Sequence, residues 1–367
     1  MNLVGFAPVF TLSLGDSERS RKWNIPCNGY RQMPIALGGM DNSKKQKNVI
    51  MKILIYGAGI VGCTYGWQLS EAGHDVSVLV RKEKKQQIEE NGIAIHCTDF
   101  RGGQKQIKQT VFRPNIIDEL SSQNDFEYII ISTNNLHLKE ILPVLRKSAG
   151  KSHILFFQNV WKDDFDEIAN YLSPEQYFFG FPFMVGGGRD DKSIYSAISG
   201  LKYSHTPLGE LNGKITPRVQ KIAKALEDAN LKPTITTQIS VWLITHYAVA
   251  AGLSTGIITA GGGKAFASDS RIIKETIKSI REGLEICVKE GINPKSEKAN
   301  KLYYLPLFIS VSIAKKVYSD EALAIMFDGH TKHSPEEMAK MLDDLIACGE
   351  KYNVKTPYLK HFKERIK

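Results

Sequence analysis

The sequence predicts an α/β protein with an N-terminal Rossmann domain, built on a doubly wound parallel sheet, and an all-helical C-terminal domain. Three observations predict this fold. A glycine-rich turn joins a short apolar strand to a helical pattern at residues 51–72. Apolar strands then alternate with helices, and after residue 215 apolar residues recur almost wholly at helical spacing. We therefore expect a Rossmann domain at 51–208 and a helical domain for substrate binding or dimerisation at 209–367.

The individual elements follow from the period and composition of each segment. Strands are predicted at residues 52–56, 75–80, 128–132, 154–157, 177–185, 193–199 and 201–205, with short extended pieces at 93–97 and 106–112. Helices are predicted at residues 63–72, 82–90, 136–146 (bent or broken at Pro143), 219–226, 241–253, 272–288 and 338–346.

Residues 1–50 do not continue either pattern. They have no sustained hydrophobic period, and Met51 stands directly before the first strand. We expect a poorly ordered extension here, with a targeting segment as the alternative.

Composition limits the class of protein. The hydrophobic content of 42% and charged content of 24% are typical of a globular chain, and the net charge of +9 suits an anionic cofactor. The sequence has no basic stripe with interleaved aromatic residues, so it predicts no nucleic-acid partner. It also has no apolar run close to the length that a membrane span needs. Five scattered cysteines without a CxxC pair predict neither disulfides nor a metal site, and favour a cytoplasmic location.

The glycine-rich turn predicts a dinucleotide-binding loop. Gly57 allows the tight turn, Gly59 lets the backbone approach a pyrophosphate, and Gly62 lets the helix pack close to the strand. The first-turn amides then face the phosphates. The predicted cofactor-binding residues of this loop are Gly57, Ala58, Gly59, Ile60, Val61 and Gly62. The alternative is an ordinary strand-to-helix turn.

The end of the second strand predicts which cofactor the loop holds. NAD-binding domains usually carry an acidic residue there, which accepts from the ribose 2′-hydroxyl. Here the strand ends in Val80-Arg81-Lys82. A guanidinium pairs well with a 2′-phosphate, so Arg81 favours NADP. The alternative is a solvated arginine at the start of a helix.

From Met51 to its end the chain resembles the ketopantoate reductases of pantothenate synthesis. The resemblance rests on MKILIYGAGIVG, Arg81, Asn159 in LFFQNVW, the helix that contains Trp242, and the closing segment 353–357. It implies hydride transfer from NADPH to the ketone of 2-dehydropantoate. It also implies a lysine on the Trp-containing helix as proton donor, and an asparagine after the fifth strand that places that lysine and the nicotinamide.

The chain departs from the family pattern on that helix. The family lysine, two residues after the tryptophan, falls on Ile244, and the asparagine one turn later falls on Ala248. His246 is a candidate replacement, but two residues are roughly 200° of rotation, which turns it to another face. A packing histidine is the alternative. Lys264 is a second candidate for the proton donor, and the alternative is that it is a solvated lysine.

Further candidates lie after predicted strands and before a late helix. Asn159 is assigned to catalysis and cofactor contact. Asn134 and Asn135 follow a buried strand, and the family has a lysine at the position of Asn134. Both residues are expected to contact the cofactor. The alternative is that they are plain turn residues. Glu337 matches the family's catalytic glutamate, but Ser334 and Glu337 also form a capping box.

Two functions follow from these residues. The first is an NADP-dependent oxidoreductase that reduces a small 2-oxo acid-type carbonyl, either 2-dehydropantoate or a related substrate. The second is a catalytically impaired NADP-binding sensor or interaction protein of the same family. The sequence leaves the oligomeric state open, a homodimer included.

Deleting residues 1–50 is expected to leave folding and NADPH affinity unchanged, because the segment lacks periodicity and Met51 opens the first strand. Thermal unfolding and NADPH titration of the full and shortened chains check this expectation. A melting temperature lowered by many degrees would show that the segment packs on the domain.

Overall fold

The computed structural model describes residues 49–200, 204–333 and 335–366. Within them it confirms the α/β fold with a parallel sheet and a helical C-terminal part. Nearly all of the expected extension at 1–50 lies outside the described residues, and so does Ser334. The strand expected at 201–205 falls largely on residues that are not described.

The strands are β1 (Lys52–Tyr56), β2 (Asp75–Leu79), β3 (Ile93–Asp99), β4 (Gln106–Phe112), β5 (Asn115–Ile117), β6 (Tyr128–Ile131), β7 (His153–Phe156), β8 (Tyr177–Gly180), β9 (Val185–Arg189), β10 (Ser193–Ile198), β11 (Thr206–Gly209) and β12 (Pro233–Ile235). The helices are α1 (Ile60–Glu71), α2 (Lys82–Asn91), α3 (Leu138–Ser148), α4 (Lys162–Tyr171), α5 (Pro217–Asp228), α6 (Ile239–Ala260), α7 (Gly263–Ser268), α8 (Ser270–Lys289), α9 (Leu307–Tyr318), α10 (Glu321–His333), α11 (Pro335–Lys351) and α12 (Pro357–Arg365). Helix α3 runs through Pro143 without a break.

The larger sheet has the strand order β12-β11-β8-β7-β6-β1-β2-β5. Its neighbouring strands pair in parallel, except that β11 runs antiparallel to β8. The central strands β1 and β6 are runs of aliphatic residues, as expected where helices cover both faces. The carboxyl ends of β1, β6 and β7 therefore meet at one edge of the sheet.

This sheet continues beyond residue 208, where the sequence suggested a change of domain. Strand β11, helix α5 and strand β12 extend it to Ile235, and the helical part begins with α6. Helix α5 starts at an N-cap threonine, Thr216, followed by Pro217. The strand expected at 177–185 is two strands in different sheets, because the chain turns at Pro182, where the Val185 amide donates to its carbonyl.

A second sheet, with the order β4-β3-β10-β9, includes the two extended pieces that the sequence left unassigned. Helix α10 lies directly on β9, and glycines permit the contact. A Cβ at Gly186 would lie 2.8 Å from the Cβ of Met326, and one at Gly329 would overlap the backbone of Gly187. This contact joins the helical part to the second sheet.

A buried ion pair links the second sheet to helix α1 and to the end of helix α5. Arg101 donates to both carboxylate oxygens of Asp99, to Gln68 Oε1 on α1 at 2.6 Å, and to the Ala229 carbonyl after α5 at 3.1 Å. Burial alone would raise the pKa of Asp99, but hydrogen bonds from Arg101 and Lys108 hold that pKa well below its ordinary value. The ionised pair therefore stabilises the fold at neutral pH.

Helix α6 is the core of the helical part. It is 22 residues long and apolar enough to cross a membrane by length and composition, which the sequence analysis did not anticipate. However, 83% of its most apolar window is buried inside the protein, against the sheet on one side and α8 on another. The helix ends at Gly261, whose φ of +82° is left-handed.

Replacing Arg101 by Met is expected to lower the free energy of unfolding by about 3–5 kcal/mol, because it leaves the Asp99 carboxylate buried beside the partly exposed Lys108. Urea denaturation measures the effect. Lys105→Met is the matched control, since its ion pair with Glu321 is exposed and is worth at most about 1 kcal/mol. Equal losses in the two variants would contradict this account of the buried pair.

Candidate active site

A cleft of about 1270 Å³ lies at the carboxyl edge of the larger sheet. Its walls come from the turn after β1, the segments that follow β6 and β7, the β9–β10 hairpin, and helices α6, α10 and α11. Parallel sheets of this kind bind ligands at this edge. The residues predicted from sequence can be placed against this cleft one by one.

The glycine turn has the geometry that the sequence predicts. Gly57 has a φ of +112°, which favours glycine. A Cβ at Gly62 would overlap the side chain of Ser132 and lie 2.8 Å from Ile55, so this glycine sets how closely α1 approaches β1 and β6. A Cβ at Gly59 would come no closer than 3.9 Å to a neighbouring atom, the Ser132 carbonyl oxygen, and this residue lines the cleft. Residues 57–61 line the cleft, whereas Gly62 packs behind it.

Arg81 stands at the N-terminus of α2, directly after β2, and lines the cleft. Its side chain is exposed and makes no hydrogen bond or ion pair with the described residues. Lys84, one turn along α2, lines the same part of the cleft. Two cations thus face the region beside the glycine turn.

Arg189 is a cleft residue that the sequence analysis missed. It ends β9, and its guanidinium donates from Nη1 to the carbonyl oxygen of Ala58 at 3.2 Å. The residues are 131 positions apart, and only the pairing of the second sheet brings them together. Local sequence therefore gave no signal for this contact.

The two asparagines after β6 have different positions. Asn134 lines the cleft, as expected for a cofactor contact. Asn135 is buried away from it, and its Nδ2 donates to the Asn159 carbonyl at 2.5 Å and to Asp164 Oδ2 at 2.8 Å. The expected cofactor contact of Asn135 is therefore not supported by its placement, because the side chain is used to hold the turn after β7.

Asn159 lies in that turn and lines the cleft. Its Nδ2 donates to Glu337 Oε1 at 3.0 Å, and its Oδ1 is buried with no hydrogen-bond partner among the described residues. The preceding Gln158, which the sequence analysis did not single out, also lines the cleft and donates to the Asn134 carbonyl at 3.0 Å. The LFFQNVW segment thus contributes two adjacent amides.

Glu337 is 4% exposed, lies in the first turn of α11 and lines the cleft. Its hydrogen bond to Asn159 crosses from the helical part to the sheet. The alternative role in a capping box involves Ser334, which lies outside the described residues. The carboxylate is nevertheless engaged in the cleft rather than only at its own helix end.

Helix α6 presents His246 to the cleft, and it does so without a register shift. The centre of the imidazole ring lies 4.0 Å from the centre of the Phe181 ring and 5.0 Å from that of the Trp242 ring. The planes of His246 and Trp242 differ by only 16°, so these two rings are stacked. Ile244 is 3% exposed and packs in the core with α8. Ile244, on which the family lysine falls, therefore does not line the cleft.

Three other residues of the helical part differ in their position relative to the cleft. Ala248 is buried in the core beside Gly283, so it does not reach the cleft. Ser254, two turns after His246, lines the cleft, is buried, and makes no hydrogen bond with the described residues. Lys264 is exposed on the short helix α7 and does not line the cleft, so its predicted role as an acid is not supported by its position.

The cleft fits a nicotinamide dinucleotide. The glycine turn leaves room for a backbone approach to a diphosphate, and the first-turn amides of α1 are available to it. At the other end are three buried amide oxygens without a hydrogen-bond partner among the described residues, namely Asn134 Oδ1, Gln158 Oε1 and Asn159 Oδ1. Such acceptors suit the N–H donors of a carboxamide. The described residues contain no cluster of side chains suited to a metal ion.

Comparison with known proteins agrees with this geometry. The family model of the ketopantoate reductase PanE/ApbA matches residues 53–212. An uncharacterized oxidoreductase, YkpB, of Bacillus subtilis is 25% identical over 209 residues, which are 56% of this chain and 65% of that protein. A 2-dehydropantoate 2-reductase of Nostoc is 26% identical over 49% of this chain and 54% of its own length. These two alignments therefore cover less than two thirds of the relatives.

Longer matches have lower identity. A 2-dehydropantoate 2-reductase of Streptococcus pyogenes serotype M1 is 22% identical over 86% of this chain and 97% of that protein. The solved structure of D-mandelate dehydrogenase with NADH and anilino(oxo)acetate has a TM-score of 0.68 at 18% identity, over 86% of this chain and 97% of that one. The solved structure of 2-dehydropantoate 2-reductase from Porphyromonas gingivalis W83 has a TM-score of 0.62 at 15% identity, over 87% of this chain and 99% of that one.

The structural likenesses show a shared fold, and the family match covers the glycine turn, Arg81, Asn134 and Asn159. The resemblance drawn from the sequence is thereby confirmed for residues 53–212. Residues 53–212 form a domain of the ketopantoate reductase PanE/ApbA family of oxidoreductases.

Proposed function

We propose that the protein is an NADPH-dependent oxidoreductase that reduces a 2-oxo acid-type carbonyl, either 2-dehydropantoate or a related substrate. One observation carries this proposal: a single cleft contains the glycine turn, Arg81, the Asn159–Glu337 hydrogen bond and His246. The relatives named 2-dehydropantoate 2-reductase and D-mandelate dehydrogenase support a carbonyl substrate of this class.

Two arginine side chains would bind different parts of the cofactor. Arg81 is exposed after β2, where a 2′-phosphate is recognised in NADP-binding domains, and its free fork of donors suits that dianion. Arg189 lies beside the glycine turn through its bond to Ala58, where a diphosphate would approach the backbone. Arg81 would thus select NADPH, and Arg189 would strengthen binding of either cofactor.

The chemistry needs an acid in the cleft. A bound reduced nicotinamide supplies the hydride that converts the substrate's C=O carbon into CH–OH. His246 would donate the proton that the carbonyl oxygen gains, since α6 contains no lysine and His246 is the titratable residue of α6 on the cleft face. A positioned acid typically contributes about 10²–10⁴-fold to such a step.

Asn159 and Glu337 would position the reactants. Because Glu337 accepts from Asn159 Nδ2, the amide is fixed with its Oδ1 as the remaining acceptor. That oxygen can accept from a carboxamide or from a substrate hydroxyl. The aromatic rings of Phe181 and Trp242 against His246 would limit the access of water to the acid.

A second function, an NADP-binding sensor with little turnover, is favoured by one observation only, which is the absence of a lysine from α6. In either case we propose a cytoplasmic protein with a small-molecule ligand and neither a nucleic acid nor a membrane as partner. Oligomeric state, including a homodimer, is open to measurement by light scattering.

Arg81→Ala is expected to weaken NADPH binding about 10- to 100-fold and NADH binding little, because only NADPH has the 2′-phosphate. Fluorescence titration with both cofactors measures this. Arg189→Ala is the matched control, since removing a cation beside the glycine turn should weaken both cofactors alike. Equal losses of NADPH and NADH in Arg81→Ala would refute the NADP assignment.

His246→Gln is expected to lower kcat by two or more orders of magnitude without changing NADPH affinity, since it removes the proton donor. In the wild type, kcat for reduction should also fall as pH rises, because an acid must be protonated to donate. His205→Gln is the control: burial lowers the pKa of His205 to about 4, and it contacts Trp242 from outside the cleft. Unchanged turnover in His246→Gln would contradict the assignment.

A further inference from the structure

The turns that follow β6 and β7 meet at the cleft, and both contribute side-chain amides to its lining. We infer that Asp164, which lies behind these turns, is a positioning residue that sets the orientation of Asn159 toward the carboxamide of a nicotinamide cofactor. This inference rests on the proposed function, because it assigns an unpartnered amide oxygen to that cofactor. Asp164 itself does not line the cleft.

The two turns are joined by a reciprocal pair of hydrogen bonds. Gln158 Nε2, after β7, donates to the Asn134 carbonyl at 3.0 Å. Asn135 Nδ2, after β6, donates to the Asn159 carbonyl at 2.5 Å. Each turn thus gives a side-chain amide to the backbone of the other. The Asn135 bond is buried and therefore costly to leave unmade, so the two turns hold each other in place.

Asp164 fixes which way the Asn135 amide points. Its Oδ2 accepts from Asn135 Nδ2 at 2.8 Å and from the Trp161 amide at 2.7 Å. Rotation of the Asn135 amide by half a turn would place its oxygen against the Asp164 carboxylate and the Asn159 carbonyl, which are both acceptors. The carboxylate therefore keeps the Asn135 donor on Asn159. Its bond to the Trp161 amide closes the turn in which Asn159 lies.

Asn159 is thereby held through both its backbone and its side chain. Its carbonyl accepts from Asn135, and its Nδ2 donates to Glu337 Oε1 at 3.0 Å. Its Oδ1 is buried and has no hydrogen-bond partner in the part of the chain that the structure describes. An acceptor fixed in this way suits the N–H of a carboxamide. A displacement of about 1 Å near a reacting group can lower a rate by roughly 10²-fold, so the support behind Asn159 matters for the reaction.

Capping of helix α4 is the alternative role for Asp164, which lies in the first turn of that helix. Burial raises the pKa of Asp164, and Asp344 adds to the rise, while the Trp161 amide, Lys340 and Asn135 oppose it. A fully exposed acid would cap the helix without the cost of burying a charge. The burial of this carboxylate against Asn135 therefore favours the positioning role.

A binding experiment tests the inference without any turnover. Calorimetry compares NADPH with adenosine 2′,5′-bisphosphate, a fragment that lacks the nicotinamide. Asp164→Ala should weaken NADPH binding about 3- to 10-fold and leave fragment binding unchanged, because only NADPH has the carboxamide that would contact Asn159. Asp163→Ala, an exposed neighbour in the same turn of α4, is the matched control and should change neither affinity. Equal losses of both ligands in Asp164→Ala, or no loss of either, would overturn the inference.

Two further variants separate positioning from capping. Asn135→Ala should weaken NADPH as much as Asp164→Ala does, and the double variant should be no weaker than either single one, because both act through the same hydrogen bond. Asp164→Asn keeps an acceptor oxygen and should restore most of the affinity. Additive losses in the double variant would assign Asp164 to the helix cap alone and refute the positioning role. If Asp164→Ala does not fold, unchanged NADPH binding in Asn135→Ala refutes it equally.

Turnover then distinguishes this inference from the proposed reaction. In an active enzyme, Asp164→Ala should lower kcat about 10- to 100-fold and change KM for the carbonyl substrate little, because a displaced Asn159 misaligns the hydride donor. If the wild type reduces no carbonyl compound but the binding pattern holds, the reductase function fails and the positioning role stands. Absence of the NADPH-specific loss would contradict the positioning role whatever the turnover.

Discussion

The burial of helix α6 is the constraint on which the rest of the molecule depends. One of its faces packs with the larger sheet through Trp242 and Leu243, and another packs with α8 through Ile244. With those sides occupied, the strip through His246 and Ala250 is what remains for the cleft. Packing of an almost wholly apolar helix thus determines which of its few polar residues line the cleft.

The cleft is closed by contacts between parts of the chain that are far apart in sequence. The hydrogen bond from Asn159 to Glu337 spans 178 residues, and the bond from Arg189 to Ala58 spans 131. The first links the helical part to the end of β7, and the second places the hairpin over the glycine turn. The Asn159 donor is buried, so its hydrogen bond is costly to leave unmade and fixes the relative position of these two walls. The Arg189 bond is exposed and constrains its wall less strongly.

The two halves of the cleft match to different degrees the family pattern that the sequence resembles. The cofactor half keeps the glycine turn, an arginine after β2 and an asparagine after β7. In the half formed by the helical part, a histidine, an alanine and several apolar side chains line the cleft.

The sequence by itself determined the features that depend on short-range geometry. Local steric rules predict the glycines of the turn and of the helix contact at 57–62, and the hydrophobic period predicts the strands before and after them and the position of Arg81 at a strand end. The α/β class and the cofactor loop were therefore predictable. Only the tertiary structure decided the contacts of Asn135 and Arg189 and the pairing of the second sheet. It also decided that His246 lines the cleft and Ile244 does not. An apolar helix with no polar stripe has no amphipathic signal to show which side faces a cleft, and a contact between residues 131 positions apart leaves no local pattern.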